Sequence, residues 1–435
     1  MRRFFLPILL LITLDSIAQK KLTLEEAIAT ALSNNFDIQL SRNDSIVAAL
    51  NYGYRNAAFY PRLNANTGVV FNNNDQKQKF TDGTVRERNG VKSNNLTANL
   101  ALNWTLFDGF RMFATRDKVA ELVKLGELGI KEQLVNSVAA VINTYYNIVK
   151  QKQQLRAIEE QMSISQERVK LAQYKLDIGV GAKPDVLQSK VDLNAQKAAQ
   201  LEQQTLIRQL KDQLSQLMNT AETNYDVSDS IPLNKGLVLT DIQSSLDKTN
   251  PALQVAQKNI LIAGLTLKEI KADRFPVVGF TANYNFNKLD NKAVVNPFQP
   301  LNSRNKGFNY GLTATIPIFN NYSVKRQIQQ AERDIVFRKL SMDNQKSQIS
   351  LAVLNAWNNY QWQKQALDLE EESIVLAREN VDIVFQVYKL NSTTLIQLKE
   401  AQKSLQDAQT RLINARYNTK LAETELLRLK GELVK

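Results

Sequence analysis

The second half of this 435-residue chain repeats the first, and that duplication limits what it can fold into. Leu106-Phe107-Asp108 returns as Ile318-Phe319-Asn320, 212 positions on, and Tyr145 returns as Trp357 at the same spacing. Tyr60-Pro61 returns as Phe275-Pro276, 215 positions on, so the intervening segments differ slightly in length. A repeat of this size is a whole structural unit, not a short solenoid module. Each half, 19–219 and 241–430, reads as a helix, a strand, a polar loop, a strand and then two very long helices. Between them lies a polar linker, 220–240, with Pro232 and Gly236, where a short helix or turn fits. A short tail, 431–435, follows.

Four runs alternate apolar and polar residues with period two, near 62–72, 96–106, 277–287 and 308–318. Leu96, Ala98, Leu100, Leu102, Trp104 and Leu106 share one face, with Thr97, Asn99, Asn103 and Thr105 opposite. Phe308, Tyr310, Leu312, Ala314, Ile316 and Ile318 oppose Asn309, Gly311, Thr313 and Thr315 in the same way. Outer-membrane strands need about 9–11 residues, apolar toward lipid and polar toward the lumen. A half-buried soluble sheet has the same period. The polar stretches 72–95 and 288–306 read as long loops between paired strands. Four strands cannot close a barrel, and an open edge cannot face hydrocarbon. The chain must then lend its strands to an oligomer, whose order the strand count alone does not fix.

From Phe110 to Leu176 there is no Pro and only Gly126 and Gly129, which predicts roughly 100 Å of helix. Gly179, Gly181 and Pro184 mark a reversal, and the chain returns as helix to Asn219. The second half runs from Tyr322 to Tyr388, turns near Asn391 and returns to Leu429. Leu155, Ile158, Met162, Ser165, Val169, Ala172 and Leu176 form a seam with 3,4 spacing. Ile374, Ala377, Val381, Val384 and Tyr388 continue the register 212 positions later. Such a seam implies a left-handed coiled coil. Its wide polar faces suit the wall of a water-filled tube and equally a solvent-exposed stalk.

Arg2 and Arg3, the apolar run Phe4–Leu14 and Ser16-Ile17-Ala18 form a secretory signal pattern over 1–18. This leader favours the membrane reading of the strands. No other stretch has transmembrane-helix length and apolarity, so any span must be made of strands. The chain lacks Cys and His, which removes disulfides, thiolate nucleophiles, the commonest metal ligand and the most adaptable acid–base group. No catalytic, cofactor or metal constellation stands out, and no enzymatic activity is expected. The formal charge is +12, but Lys and Arg are interleaved with Glu and Asp, which does not make a nucleic-acid footprint.

Four features together resemble the TolC-like outer membrane efflux proteins: the opening Leu22-Thr23-Leu24-Glu25-Glu26-Ala27-Ile28 with Ala31-Leu32 and Asn34-Asn35; the aromatic-Pro steps; the strand-to-helix junctions Leu106-Phe107-Asp108-Gly109 and Pro317-Ile318-Phe319-Asn320; and the hairpin tips at 176–185 and 388–397. The resemblance implies a mixed α/β membrane protein. Three chains would build a twelve-stranded β-barrel in outer-membrane lipid, continued by an α-helical coiled-coil tube through the periplasm. The tube would dock onto a periplasmic adaptor protein bound to an inner-membrane pump. Cargo would pass outward unchanged, as in tripartite efflux or type I secretion. The alternative is a non-conducting structural or adhesive coiled-coil protein of the envelope.

Family tips carry an aromatic or aliphatic residue, then Gly, then an acidic residue entering the return helix. Leu176, Gly179 and Asp185 fall at these positions, and Gly179 is the first choice for the adaptor contact. In the second hairpin Tyr388 takes the aromatic place and Asn391 replaces the glycine. Thr393, Gln397 and Glu400 stand where well-studied members have an arginine and two acidic residues. The resemblance thus makes Tyr388, Asp185 and Glu400 gate candidates, Glu400 as an acidic ring or as an ordinary solvated residue. Lys183 and Lys190 lie close enough in sequence to pair with Asp185 or with an adaptor.

Overall fold

The computed structural model describes residues 20–234, 236–390 and 392–434. The leader expected at 1–18 and the turn residue Asn391 lie outside the described residues. In chain order the elements are β1 (Lys20–Leu22), α1 (Leu24–Asn34), α2 (Phe36–Gly53), β2 (Arg62–Lys79), β3 (Val85–Asp108), α3 (Arg111–Asp177), α4 (Lys183–Met218), β4 (Tyr225–Val227), α5 (Leu239–Thr249), α6 (Pro251–Ala272), β5 (Val277–Asn291), β6 (Asn302–Thr315), α7 (Ser323–Lys389) and α8 (Leu395–Lys430). The duplication is metrically close: α3 and α7 each have 67 residues, and α4 and α8 each have 36. Among the described residues no helix is long and apolar enough to cross a membrane.

Several sequence expectations are corrected. The stretch 72–95 is mostly strand, because its Asn, Gln and Lys residues continue the ladder of β2 with β3. Likewise β5 and β6 reach into 288–306, leaving a shorter connection. The fourth strand ends at Thr315, two residues before Pro317, which has no N–H for a ladder. Each half opens on two helices, not one. In the linker the described residues before α5, which begins at Leu239, form no helix; they hold the short strand β4, paired in parallel with β1.

The chain divides into two compact units. The first comprises residues up to Arg42, Gly129–Gln254 and the stretch from Gln345 onward. One of its cores gathers Leu22, Ala27 and Ala31 with Val138, Val141, Tyr145 and Ile148 of α3 and Leu210, Leu214 and Met218 of α4. Tyr145 donates its hydroxyl to the Leu22 carbonyl at 2.9 Å and accepts from the Ser228 N–H at 3.0 Å, tying down β1 and the segment after β4. The second core repeats the pattern with Ile242, Leu246, Leu253, Val353, Tyr360, Leu426 and Leu429. Thr23 and Glu26 close a capping box at the start of α1, and Thr394 and Gln397 do so for α8.

Asn35 and Asn250 stand at equivalent places in the two halves. Each is buried between two helices and caps the second of them, Asn35 through the Ile38 N–H and Asn250 through the Leu253 N–H. Each also donates to a carbonyl at a distant helix end, Leu217 and Leu429 respectively, both at 2.8 Å. Close to Asn250, Gly431 ends α8 with φ +79°, and a side chain there would collide with the Thr249 carbonyl.

The second unit comprises Asn43–Leu128 and Val255–Asn344. Its antiparallel sheet has the order β2-β3-β5-β6, with the two hairpins meeting along β3 and β5. Bulges interrupt the ladder at Asn74/Gln76 and Thr105/Phe107. Next to the sheet, Arg111 pairs with Asp273, Lys118 with Glu269 and Lys258 with Glu121, clamping the first turns of α3 to α6.

Candidate functional site

Two places carry chemistry beyond packing: the faces of the sheet, and the turns of the helical hairpins. Register fixes the faces. Leu100 pairs with Tyr284, Tyr284 with Phe308, Ala282 with Tyr310 and Phe280 with Leu312. Side chains of directly paired residues share a face, so these residues form one apolar surface. Phe308, Tyr310 and Leu312 are all exposed on it. Soluble chains rarely leave so large an apolar patch uncovered.

The other face is lined with amides. Asn66 Nδ2 donates to Asn99 Oδ1 at 3.3 Å, Asn99 Nδ2 to Asn285 Oδ1 at 2.7 Å, and Asn285 Nδ2 to Asn309 Oδ1 at 3.4 Å. One row of hydrogen bonds therefore crosses all four strands. Thr67, Thr97 and Thr313 bond to backbone carbonyls of adjacent strands. Such a surface holds water, and the row of amides itself carries no charge.

At the first turn, Lys175 and Leu176 lie in the last turn of α3. Gly179 donates to the Leu176 carbonyl at 3.0 Å, and Gly181 to the Lys175 carbonyl at 2.8 Å. Gly179 has φ +78° and is exposed, with open space where a Cβ would stand. Leu176 is half-buried. Asp185 lies in the first turn of α4 behind Pro184, where a carboxylate complements the helix dipole. Among the described residues neither Lys183 nor Lys190 forms an ion pair with it. Both lysines are exposed.

In the second hairpin Tyr388 is buried and packs under Lys175, whose Nζ lies 4.0 Å from the ring centre and 3.1 Å from the Tyr388 carbonyl. Burial, and then the charge of Asp185, pushes the Tyr388 phenol up. No direct hydrogen bond joins Tyr388 to Asp185 among the described contacts; Lys175 stands between the two hairpins instead. Thr393 and Gln397 are absorbed into the cap of α8, since Gln397 Oε1 accepts from the Thr393 hydroxyl and the Thr394 N–H. Glu400 is exposed on α8 with no partner among the described residues.

The structure adds a cluster that sequence reading missed. Arg168 of α3 is only 3% exposed. It donates to Asp192 of α4 at 2.7 Å and to Gln402 of α8 at 2.9 Å. Lys399 reaches Asp192 at 3.0 Å, and Gln188 donates to it at 2.9 Å. Burial drives the Arg168 guanidinium down, against the pull of Asp192. For Asp192 burial works against the ionised form, but the bonds from Gln188 and Lys399 and the charges of Arg168 and Lys399 outweigh it, so its carboxyl lies below its ordinary value. A pocket of about 240 Å³ lies beside these groups. The available signal was a charged residue next to the seam position Val169, flanked across the hairpins by Gln and Asp.

A duplicated chain that pairs a sheet with one apolar and one amide face with two very long helical hairpins defines a class of protein built to work at a membrane. The profile of the family described as outer membrane efflux protein matches residues 27–220 and 242–432. The outer membrane efflux protein BepC of Brucella suis is 21% identical over 421 residues, which is 94% of this chain and 86% of that protein. The outer membrane protein TolC of Escherichia coli is 20% identical over 347 residues, 77% of this chain and 69% of TolC. The crystal structure of the outer membrane protein VceC of Vibrio cholerae superposes with a TM-score of 0.76 at 14% identity, over 94% of this chain and 96% of that one. This chain belongs to the outer membrane efflux protein family. It is a TolC-like transport protein of the cell outer membrane.

Proposed function

We propose that three copies of this chain pool their sheets into a twelve-stranded barrel in the outer membrane, and that their helical hairpins line a tube through the periplasm. The observation that carries this reading is the sheet itself. Its apolar face is exposed, its opposite face is lined by amides, and both edge strands, β2 and β6, lack a further partner among the described residues. Such a sheet needs lipid on one side, water on the other and a neighbour at each edge. On this reading the protein catalyses no reaction. It is the exit duct for an inner-membrane pump joined through a periplasmic adaptor, in efflux or type I secretion.

The hairpin turns are where an adaptor would dock. Gly179, with its exposed backbone and open flank, is the proposed contact, bordered by Leu176. Tyr388, Thr393 and Gln397 of the second hairpin and Asp185 of the first, with Asn391 from its place in the sequence, are the proposed residues whose packing would differ between closed and open ducts. Glu400, unpaired and exposed, would be repeated three times around the axis as an acidic ring. Single-channel recording in planar bilayers tests both levels. Stable unitary conductance is expected from the purified oligomer, with weaker cation preference in Glu400→Ala. Well-folded oligomers that stay silent even with adaptor and pump engaged would overturn the duct and favour a stalk. An unchanged cation preference would return Glu400 to the role of a solvated helix residue.

A further inference from the structure

The apolar face of the sheet does not end the same way at its two ends. Followed along β5 toward the hairpin loop, the residues of that face are Val278, Phe280, Ala282, Tyr284 and Phe286, and then Lys288. Along β6, entering from the loop, they are Arg304 and Lys306, and then Phe308, Tyr310 and Leu312. Lys288 pairs directly with Arg304, and Phe286 with Lys306. On β3, Leu96 pairs with Lys288, and Lys92 stands on the same face four residues further out. Four cations thus border the aromatic end of the apolar band. Among the described residues of this face at that level the accompanying carboxylate is Asp290, which bonds Lys288 at 3.0 Å.

Three features separate this row from an ordinary solvated rim. Like charges directly across two strands destabilise the pair unless something bridges them, yet Lys288 faces Arg304. Arg304 and Lys306 are exposed and have no acidic partner among the described residues. The amide face at the same level carries Asn285, Asn287, Ser303 and Asn305, all neutral. If the charges served only to hydrate the loops, both faces would share them. At the helix end of the sheet, the one basic residue that starts β2, Arg62, pairs with Asn103 on the amide face.

We propose that Lys288, Arg304 and Lys306 form a binding site for the phosphate groups of lipid headgroups in the leaflet at the hairpin end of the barrel. The inference rests on the barrel reading above, which turns the apolar face toward lipid. Adjacent strands are about 4.8 Å apart and alternate residues on one strand about 6.6 Å. Three long cationic side chains at that spacing converge on one phosphate. The guanidinium of Arg304 offers the planar fork that suits phosphate oxygens, and the two lysines act as flanking point charges. The aliphatic stems of the lysines lie along the apolar band while their heads reach the headgroup level.

The test is native mass spectrometry of the oligomer in a nonionic detergent, titrated with diphosphoryl lipid A or with zwitterionic phosphatidylcholine. Binding is scored per chain. The wild type is expected to bind the diphosphoryl lipid at least tenfold more tightly than phosphatidylcholine. The triple variant Lys288→Gln, Arg304→Gln, Lys306→Gln should lose about a hundredfold in that binding, from roughly a fivefold effect of each charge near an anionic surface. A charge-matched control, Lys170→Gln, Lys190→Gln, Lys197→Gln, should keep it. Equal binding by the triple variant and wild type, no preference of the wild type between the lipids, or equal loss in the control would each overturn the site. Conductance of all three proteins in phosphatidylcholine bilayers keeps the two readings apart. Channels in every case with no lipid preference sink the headgroup site alone. Lipid preference without channels leaves the site standing and sinks the duct.

Discussion

Asn35 and Asn250 each connect a helix start to a carbonyl at the end of a helix far away in sequence. In each amide the oxygen caps one helix and the nitrogen closes another. Replacing Asn250 with Ala leaves the Leu429 carbonyl and the Leu253 N–H without partners in a buried place. Each such loss costs about 1–3 kcal/mol. Asn250→Ala should therefore lower the thermal midpoint measurably and raise hydrogen exchange at the end of α8 before elsewhere. Unchanged exchange around Leu429 would show that the bond carries no weight. Sequence reading registered Asn34-Asn35 only as part of a family opening. The role of Asn35 depends on the Leu217 carbonyl 182 positions away, and no local pattern reports such a partner.

At the scale of elements, periodicity exposed most of the fold. Period two marked the faces of the strands, and a 3,4 spacing marked the seam, where Val381 now packs on Ala401 and Leu405 with Ile374, Ala377 and Val384 around them. The places where periodicity misled are polar segments held by backbone pairing. Residues 72–95 lack apolar alternation, yet the ladder between β2 and β3 needs only their N–H and C=O groups. The buried cluster was hidden for a related reason. Arg168 looks like surface until α4 and α8 bring Asp192 and Gln402 against it. The same cluster makes the three helices pH-dependent. A carboxyl whose folded pKa lies below its unfolded value, about 3.9, stabilises the fold above that pH, and the contribution is lost as pH falls through the folded value. Asp192 is such a group. Thermal melting followed by circular dichroism should show wild type losing stability below about pH 4. Asp192→Asn should start lower at pH 7 and lose less on acidification. A variant that tracks wild type at every pH would show that Asp192 contributes nothing to the tie.

For the whole molecule, the unsolved part of the sequence was the number of copies, because a strand count has no memory of what lies beyond its edges. The edges do carry chemistry. Among the described residues Asn309 on β6 keeps an Nδ2 donor without a partner, and Asn66 on β2 an Oδ1 acceptor, at opposite ends of the same row. Asn309→Asp would set an acceptor at both ends, so the oligomer should dissociate at a lower temperature in detergent, while Asn309→Ser keeps a donor and should lose less. Size-exclusion chromatography after graded heating reads the difference, and identical dissociation of both variants would remove the amides from any part in assembly.

That row of amides has a direction, like an arrow drawn across the sheet. Turning every amide over would reverse the arrow without abolishing it. Two identical arrows brought together tip to tip, or tail to tail, set donor against donor or acceptor against acceptor, so a two-fold partnership between like edges is disfavoured. Tip to tail, each copy completes the next. In the proposed barrel the copies would circulate, and the circuit would be finished only when the last copy meets the first.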